Sequence, residues 1–173
     1  WWDDHRNLPV WPRLAMHVLA GGLLAIALYA YSGSWRLSAL AVVLVPVLVN
    51  VWNFMDGIDG LAASQAALCA LALACATSGS AGGFALVVAA TCLGFLPFNL
   101  PKANIFLGGV GSGALGYLMA LLVLAGLPAY PVTLWPLLLM PPAAMLVDAG
   151  MTLGWRMWRG ERWWQPHVQH LYQ

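Results

Sequence analysis

The 173 residues are enough for one domain, and 62% of them are hydrophobic against 8% charged, with a mean hydropathy of +0.79. That balance excludes most soluble classes and reads as a polytopic membrane protein. A net charge of +1 with only short basic clusters excludes an electrostatic footprint for nucleic acid. Cys69, Cys75 and Cys92 all lie in apolar runs without CxxC or metal-ligand spacing, so reduced packing roles are expected for them.

The chain opens at Trp1 with no initiator methionine, basic n-region or small-residue cleavage site, so no targeting signal is legible and a leading portion is expected to be missing. Apolar runs that cross or nearly cross a bilayer are predicted at 13–31, 36–51, 60–78, 83–98, 112–127 and 132–154, against about 20 residues for a full span. The predicted fold class is all-α, a polytopic membrane protein of about six transmembrane helices forming a single domain over 1–173. The second and fourth runs are the short ones, so tilt or a thin local bilayer is expected there.

Crossings alternate sides, so every second connector shares a face. One face collects the Trp1–Pro12 segment, the 50–59 stretch, the 99–111 loop and the tail from Trp155. It holds Arg6, Lys102, Arg156, Arg159 and Arg162, with Arg13 at its boundary, while the other face holds only Arg36; the positive-inside rule therefore makes the first face cytoplasmic. Asp3, Asp4, Asp56, Asp59, His167 and His170 fall on that same face, although Lys and Arg alone assigned it. Eight of ten tryptophans also lie at or near that boundary, where indole rings favour the headgroup level. No internal repeat is evident.

Asp3-Asp4 precedes the first span. Adjacent acids share a site only where the backbone is irregular or at a helix end, and the pair also reads as a solvated acidic cap. The stretch Asn50-Val-Trp-Asn53-Phe-Met-Asp56-Gly-Ile-Asp59-Gly60 sets two amides and two carboxylates between apolar runs. If its second half is helical, Asp56 and Asp59 share a face with carboxylates about 6 Å apart and repel by about 3 kcal/mol at an effective dielectric of about 20, a cost that a proton or cation must offset. A helix N-cap would account for one of these acids but not both.

Phe98 to Gly113 is a glycine-rich loop opening into a helix, where free backbone N–H groups around Gly108 can hold phosphate oxygens; such loops are also plain turns. Asp148 lies about two turns inside the last run and reads either as a functional intramembrane acid or as a partner for a neighbouring helix. His167 and His170, at i and i+3 on a tail with Arg156, Arg159 and Arg162, fit a pyrophosphate, a metal or a proton site, and the arginines also fit contact with anionic lipid. His5 and His17 have no partner visible in sequence, and His17 is read as a satisfied span histidine.

Four motifs in order carry a resemblance: the Asp3-Asp4 pair, Asn50-x-x-Asn53-Phe-Met-Asp56-Gly-Ile-Asp59-Gly, Phe106-Leu-Gly-Gly-Val-Gly-Ser112, and His167-x-x-His170-Leu-Tyr-Gln. Together the chain resembles the polyprenyl-phosphate N-acetylhexosamine-1-phosphate transferases, nearest to the bacterial branch that starts O-antigen and related glycans and more distantly to the translocase that makes the first lipid intermediate of peptidoglycan. Members typically have ten or eleven spans, so the chain would supply the later six of them.

The resemblance implies transfer of a sugar-1-phosphate from a UDP-N-acetylhexosamine to undecaprenyl phosphate, releasing UMP, with Mg²⁺ or Mn²⁺, on the cytoplasmic side of the bacterial inner membrane. It implies Asp3 and Asp4 at the lipid phosphate, Asn53 and Asp56 at the metal, and Asp56 and Asp59 lining the nucleotide pocket as candidate catalytic carboxylates. Asn50 and Gly108 would line the substrate, Asn99 and Phe106 would receive the uracil, and His167 and His170 would meet the diphosphate. Membrane lipids and a second copy of the chain are further candidate partners.

Two positions depart from the family pattern: Gly109 stands where its loop carries a metal-binding Asp, and Asn7 where a basic residue often follows the Asp pair. Gly109 motivates an alternative, a truncated or inactive homologue that still binds UDP-sugar or polyprenyl lipid. A transporter using Asp148 is a third reading, weakened because only one acid lies deep in a span.

Overall fold

The computed structural model describes residues 10–160, and the fold is all-helical over that range. Five long helices follow one another: α1 (Val10–Ser32), α2 (Trp35–Met55), α3 (Leu61–Ala76), α4 (Gly79–Asn99) and α5 (Gly108–Gly126). Two single 3₁₀ turns, Leu127–Ala129 and Val132–Leu134, lead to the short α6 (Trp135–Leu138) and then to α7 (Ala143–Trp158).

Among the described residues, four helical segments are long and apolar enough to cross a membrane: α1, α2, α4, and α5 with the turn after it. The final run makes a fifth only if its two bent pieces count as one span. The predicted short runs, the second and fourth, are helices of 21 residues each, and the short one is instead α3 with 16. Hydropathy falls at Asn50, but the helix does not stop there: Asn50 Nδ2 donates back to the Pro46 carbonyl at 2.7 Å, so the polar side chain is satisfied within α2 and the coil runs on to Met55.

The last run, expected as one crossing over 132–154, is bent by 80°. Pro141 and Pro142 lie between α6 and α7, and two prolines in succession remove the donors a continuous helix would need.

Packing centres on α2. Ala41, Val45, Leu48, Trp52 and Met55 are all buried, with α1 and α5 both packed against the helix. In a bilayer no hydrophobic force separates helix from lipid, so close packing of small residues holds helices together. Gly116 of α5 illustrates this. A Cβ there would lie 2.5 Å from the Leu48 carbonyl oxygen and 2.6 Å from Val49 Cα, so the two backbones touch. The α3–α4 hairpin uses alanines the same way, burying Ala62, Ala63, Ala66, Ala67 and Ala70.

Hydrogen bonds at the two ends of the bundle agree with the alternation expected from counting crossings. At one end Asp59 and Gly60 bond to the 99–105 loop. At the other end the Tyr130 hydroxyl donates to the Ala76 carbonyl at the end of α3, and Trp135 Nε1 donates to Leu127 and Tyr130 carbonyls at 3.1 and 3.2 Å.

Candidate functional site

The site is built where the C-terminus of α2 meets the first turn of α5. Close contact at Gly116 sets the depth of α5 against α2, and one turn earlier the fully buried Ser112 comes level with Asn53. The Ser112 hydroxyl lies 3.2 Å from Asn53 Oδ1 and 2.8 Å from the Gly108 carbonyl. Gly108 begins α5 with φ +65°, a conformation that favours glycine, and its N–H points to the Asp56 carboxylate.

The predicted helical pairing of Asp56 and Asp59 is not what the structure shows. α2 ends at Met55, Asp56 is its C-cap, and α3 starts only at Leu61 after Gly60 at φ +74°. Neither acid caps α3, and each carboxylate meets its own backbone donor: Asp56 the Gly108 N–H, and Asp59 Oδ2 the Ala103 N–H at 3.0 Å. Backbone dipoles thus take part of the role that the sequence assigned to a shared proton or cation. Burial pushes the Asp56 carboxyl up to about 6, an effect that the Gly108 N–H opposes.

Asn99 is 2% exposed and uses both ends of its amide on backbone: Oδ1 accepts from Gly60 N–H at 3.0 Å and Nδ2 donates to the Ile105 carbonyl at 2.9 Å. The Phe98 carbonyl accepts from the Asn104 and Ile105 N–H groups at 2.9 and 3.1 Å, which closes the loop on itself. Asn99 therefore clasps the two connectors together, while the exposed Phe106 ring beside this clasp offers a stacking face. Asn50 lies one turn above Asn53, with Nδ2 3.3 Å from His17 Nδ1 on α1.

Of the residues singled out in the sequence, Asn50, Asn53, Asp56, Asp59, Asn99, Phe106 and Gly108 are gathered at one end of the bundle. Asp3, Asp4, His167 and His170 lie outside the described residues. Sequence reasoning missed two contributors: Ser112, present as the last letter of the loop motif, and Trp52, whose Nε1 donates to the Ala62 carbonyl at 3.2 Å across the connector; His17, read as a satisfied span histidine, finds its partner in Asn50.

Among the described residues no three His, Cys, Asp or Glu side chains come together as a metal cluster. Asn53 and Asp56 nonetheless offer hard oxygens, and each retains acceptor capacity beyond its single protein bond. Mg²⁺ is commonly held by one or two carboxylates together with substrate phosphates and water, and these are the described oxygens that could contribute to such a set.

The sequence profile described as glycosyl transferase family 4 matches residues 1–127. The chain belongs to this family. Among curated members, the decaprenyl-phosphate N-acetylglucosaminephosphotransferase of Mycobacterium tuberculosis is 36% identical over 117 residues, covering 61% of this chain and 28% of the relative. The phospho-N-acetylmuramoyl-pentapeptide-transferase of Heliobacterium modesticaldum is 43% identical over 89 residues, covering 49% and 28%. A Bacillus subtilis protein described as a probable undecaprenyl-phosphate N-acetylglucosaminyl 1-phosphate transferase is 39% identical over 97 residues, covering 54% and 27%. The chain thus spans little more than a quarter of the family members it matches. No solved structure matches it.

Proposed function

We propose that this family 4 chain takes part in transfer of an N-acetylhexosamine-1-phosphate from a UDP-sugar to undecaprenyl phosphate, releasing UMP, as the first membrane step of a bacterial surface glycan. The carrying observation is the meeting of Asn53 and Asp56 with the Gly108 turn and Ser112 at the mouth of the bundle. The basic residues on this face favour a cytoplasmic mouth at the inner membrane.

In the reaction a phosphate oxygen of the lipid attacks the β-phosphorus of the UDP-sugar. The bond from that phosphorus to the bridging oxygen breaks, and UMP leaves with the electron pair. Such transfers need charge neutralisation and alignment rather than covalent groups from the protein. Gly109 and Val110 are exposed in the first turn of α5, where backbone N–H groups suit phosphate oxygens, and the Phe106 ring suits a uracil face. Asn53 and Asp56 would hold Mg²⁺, which when bound supplies charge neutralisation at the diphosphate. Asp3 and Asp4, with His167 and His170, are assigned to lipid phosphate and diphosphate by resemblance alone.

Gly109 favours a second reading, a relative that binds nucleotide sugar or lipid without turnover, since a principal carboxylate of the family loop is absent. Radiolabel transfer from UDP-N-acetylglucosamine to undecaprenyl phosphate separates the two. Activity that Gly109→Asp raises supports the transferase; binding without transfer in both forms supports the second reading; neither binding nor transfer, even with the Asp in place, removes both.

A further inference from the structure

His17 of α1 contacts Asn50 of the family motif, and the functional reading above leaves it unused. Its contact can be oriented by elimination. Asn50 Nδ2 lies 2.7 Å from the Pro46 carbonyl, which can only accept, so the amide nitrogen faces inward. The same nitrogen is 3.3 Å from His17 Nδ1, which must then be the unprotonated, accepting ring nitrogen, with the proton on Nε2. Both Nδ2 hydrogens are thereby engaged, and Asn50 presents Oδ1 as its acceptor end.

The α1–α2 seam explains why this contact matters. One turn deeper, a Cβ at Gly21 would lie 3.1 Å from the Ala41 carbonyl oxygen and 3.4 Å from Pro46 Cδ, so α1 packs there on backbone. Stepping from Gly21 to His17 on α1 and from Pro46 to Asn50 on α2 moves one turn toward the site in these antiparallel helices. Another turn places Arg13 at the height of Asn53 and Phe54. His17 therefore makes its polar contact on the seam one turn short of the mouth, on the helix into which the Asp3-Asp4 segment leads.

We propose that His17 is a positioning residue for the candidate site: its Nδ1 fixes the orientation of the Asn50 amide and the height of α1 against α2. This rests on the reading that Asn50 serves a bound nucleotide sugar. His17 acts through Asn50 and need not touch that ligand itself.

The test uses the full chain in phospholipid nanodiscs with ¹⁵N-labelled histidine, the His17 signals being assigned by their loss in His17→Gln. Near neutral pH, His17 is expected to show a bare Nδ1 and a protonated Nε2, and Asn50→Leu is expected to shift the Nδ1 resonance. An Nδ1-protonated ring, or a resonance that ignores Asn50→Leu, overturns the proposal. In parallel, affinity for UDP-N-acetylglucosamine should weaken about fivefold in His17→Leu, the effect of losing one hydrogen bond, and return in His17→Gln, whose side-chain oxygen can accept from Asn50. A Gln variant as weak as the Leu variant assigns the effect to ring packing and overturns the proposal, as does a Leu variant that binds like wild type. A wild-type chain that binds no nucleotide sugar overturns the functional reading, and with it the role of His17 there.

Discussion

The Ser112 hydroxyl lies 3.2 Å from Asn53 Oδ1, joining two residues 59 positions apart in the chain. Its second contact, 2.8 Å to the Gly108 carbonyl, ties the same hydroxyl to the turn that faces Asp56. Ser112→Ala removes both links while keeping the small volume that the buried position requires. Thermal denaturation in detergent should register a loss of about 1 kcal/mol, and affinity for UDP-N-acetylglucosamine should fall about fivefold. Unchanged values for both would mean that Asn53 is held by other groups.

Asp56 should make folding stability depend on pH. Its carboxyl titrates at about 6 in the fold against 3.8 when unperturbed. A raised carboxyl means the folded state keeps its proton longer, so the contribution of Asp56 to stability is complete below the unperturbed value and is lost as pH rises toward the folded one. Asp56→Asn cannot titrate. Melting temperatures of the two forms, compared from about pH 4 to about pH 6, should therefore diverge, the wild type losing stability relative to the variant as pH rises. Parallel curves would contradict the burial assigned to this carboxyl.

Asn99→Leu tests the clasp between connectors. Two backbone groups, the Gly60 N–H and the Ile105 carbonyl, lose their partner at once. A cost of about 3 kcal/mol is expected from unsatisfied groups at a buried position. Hydrogen exchange should show residues 100–107 losing protection well before the helices do; retained protection there would show that the clasp is not what holds the loop.

Gly116→Val should part α2 from α5, because the Leu48 carbonyl oxygen already stands 2.5 Å from where a Cβ would be. Overpacking of this kind costs about 1–3 kcal/mol. Since the same interface brings Ser112 to Asn53, melting temperature and nucleotide-sugar affinity should fall together. A variant that melts like wild type would place the two helices further apart than described.

Much of the site was legible before any coordinates, because crossing parity is a counting argument that tolerates errors at helix ends. The apolar runs put the 50–59 and 99–111 connectors on one face, and Asp59 does bond to Ala103. The Asn50–Gly60 motif and the Phe106–Ser112 loop carried the family resemblance, which the profile match over residues 1–127 supports. Roles within the site were less legible. The resemblance alone assigned Asn99 to the uracil, and no one-dimensional reading showed that its amide also closes on Gly60 and Ile105.

Sequence by itself determined the class of this protein, its order of apolar helices, and which polar connectors share an end, since each follows from composition and from alternation along the chain. Tertiary structure alone decided where α2 stops, that the final run bends by 80°, and that Asp56 and Asp59 answer to separate backbone donors. The reason is physical. A helix ends, a span breaks and a carboxylate finds a donor according to which groups arrive from distant parts of the chain, and hydropathy holds no record of those arrivals.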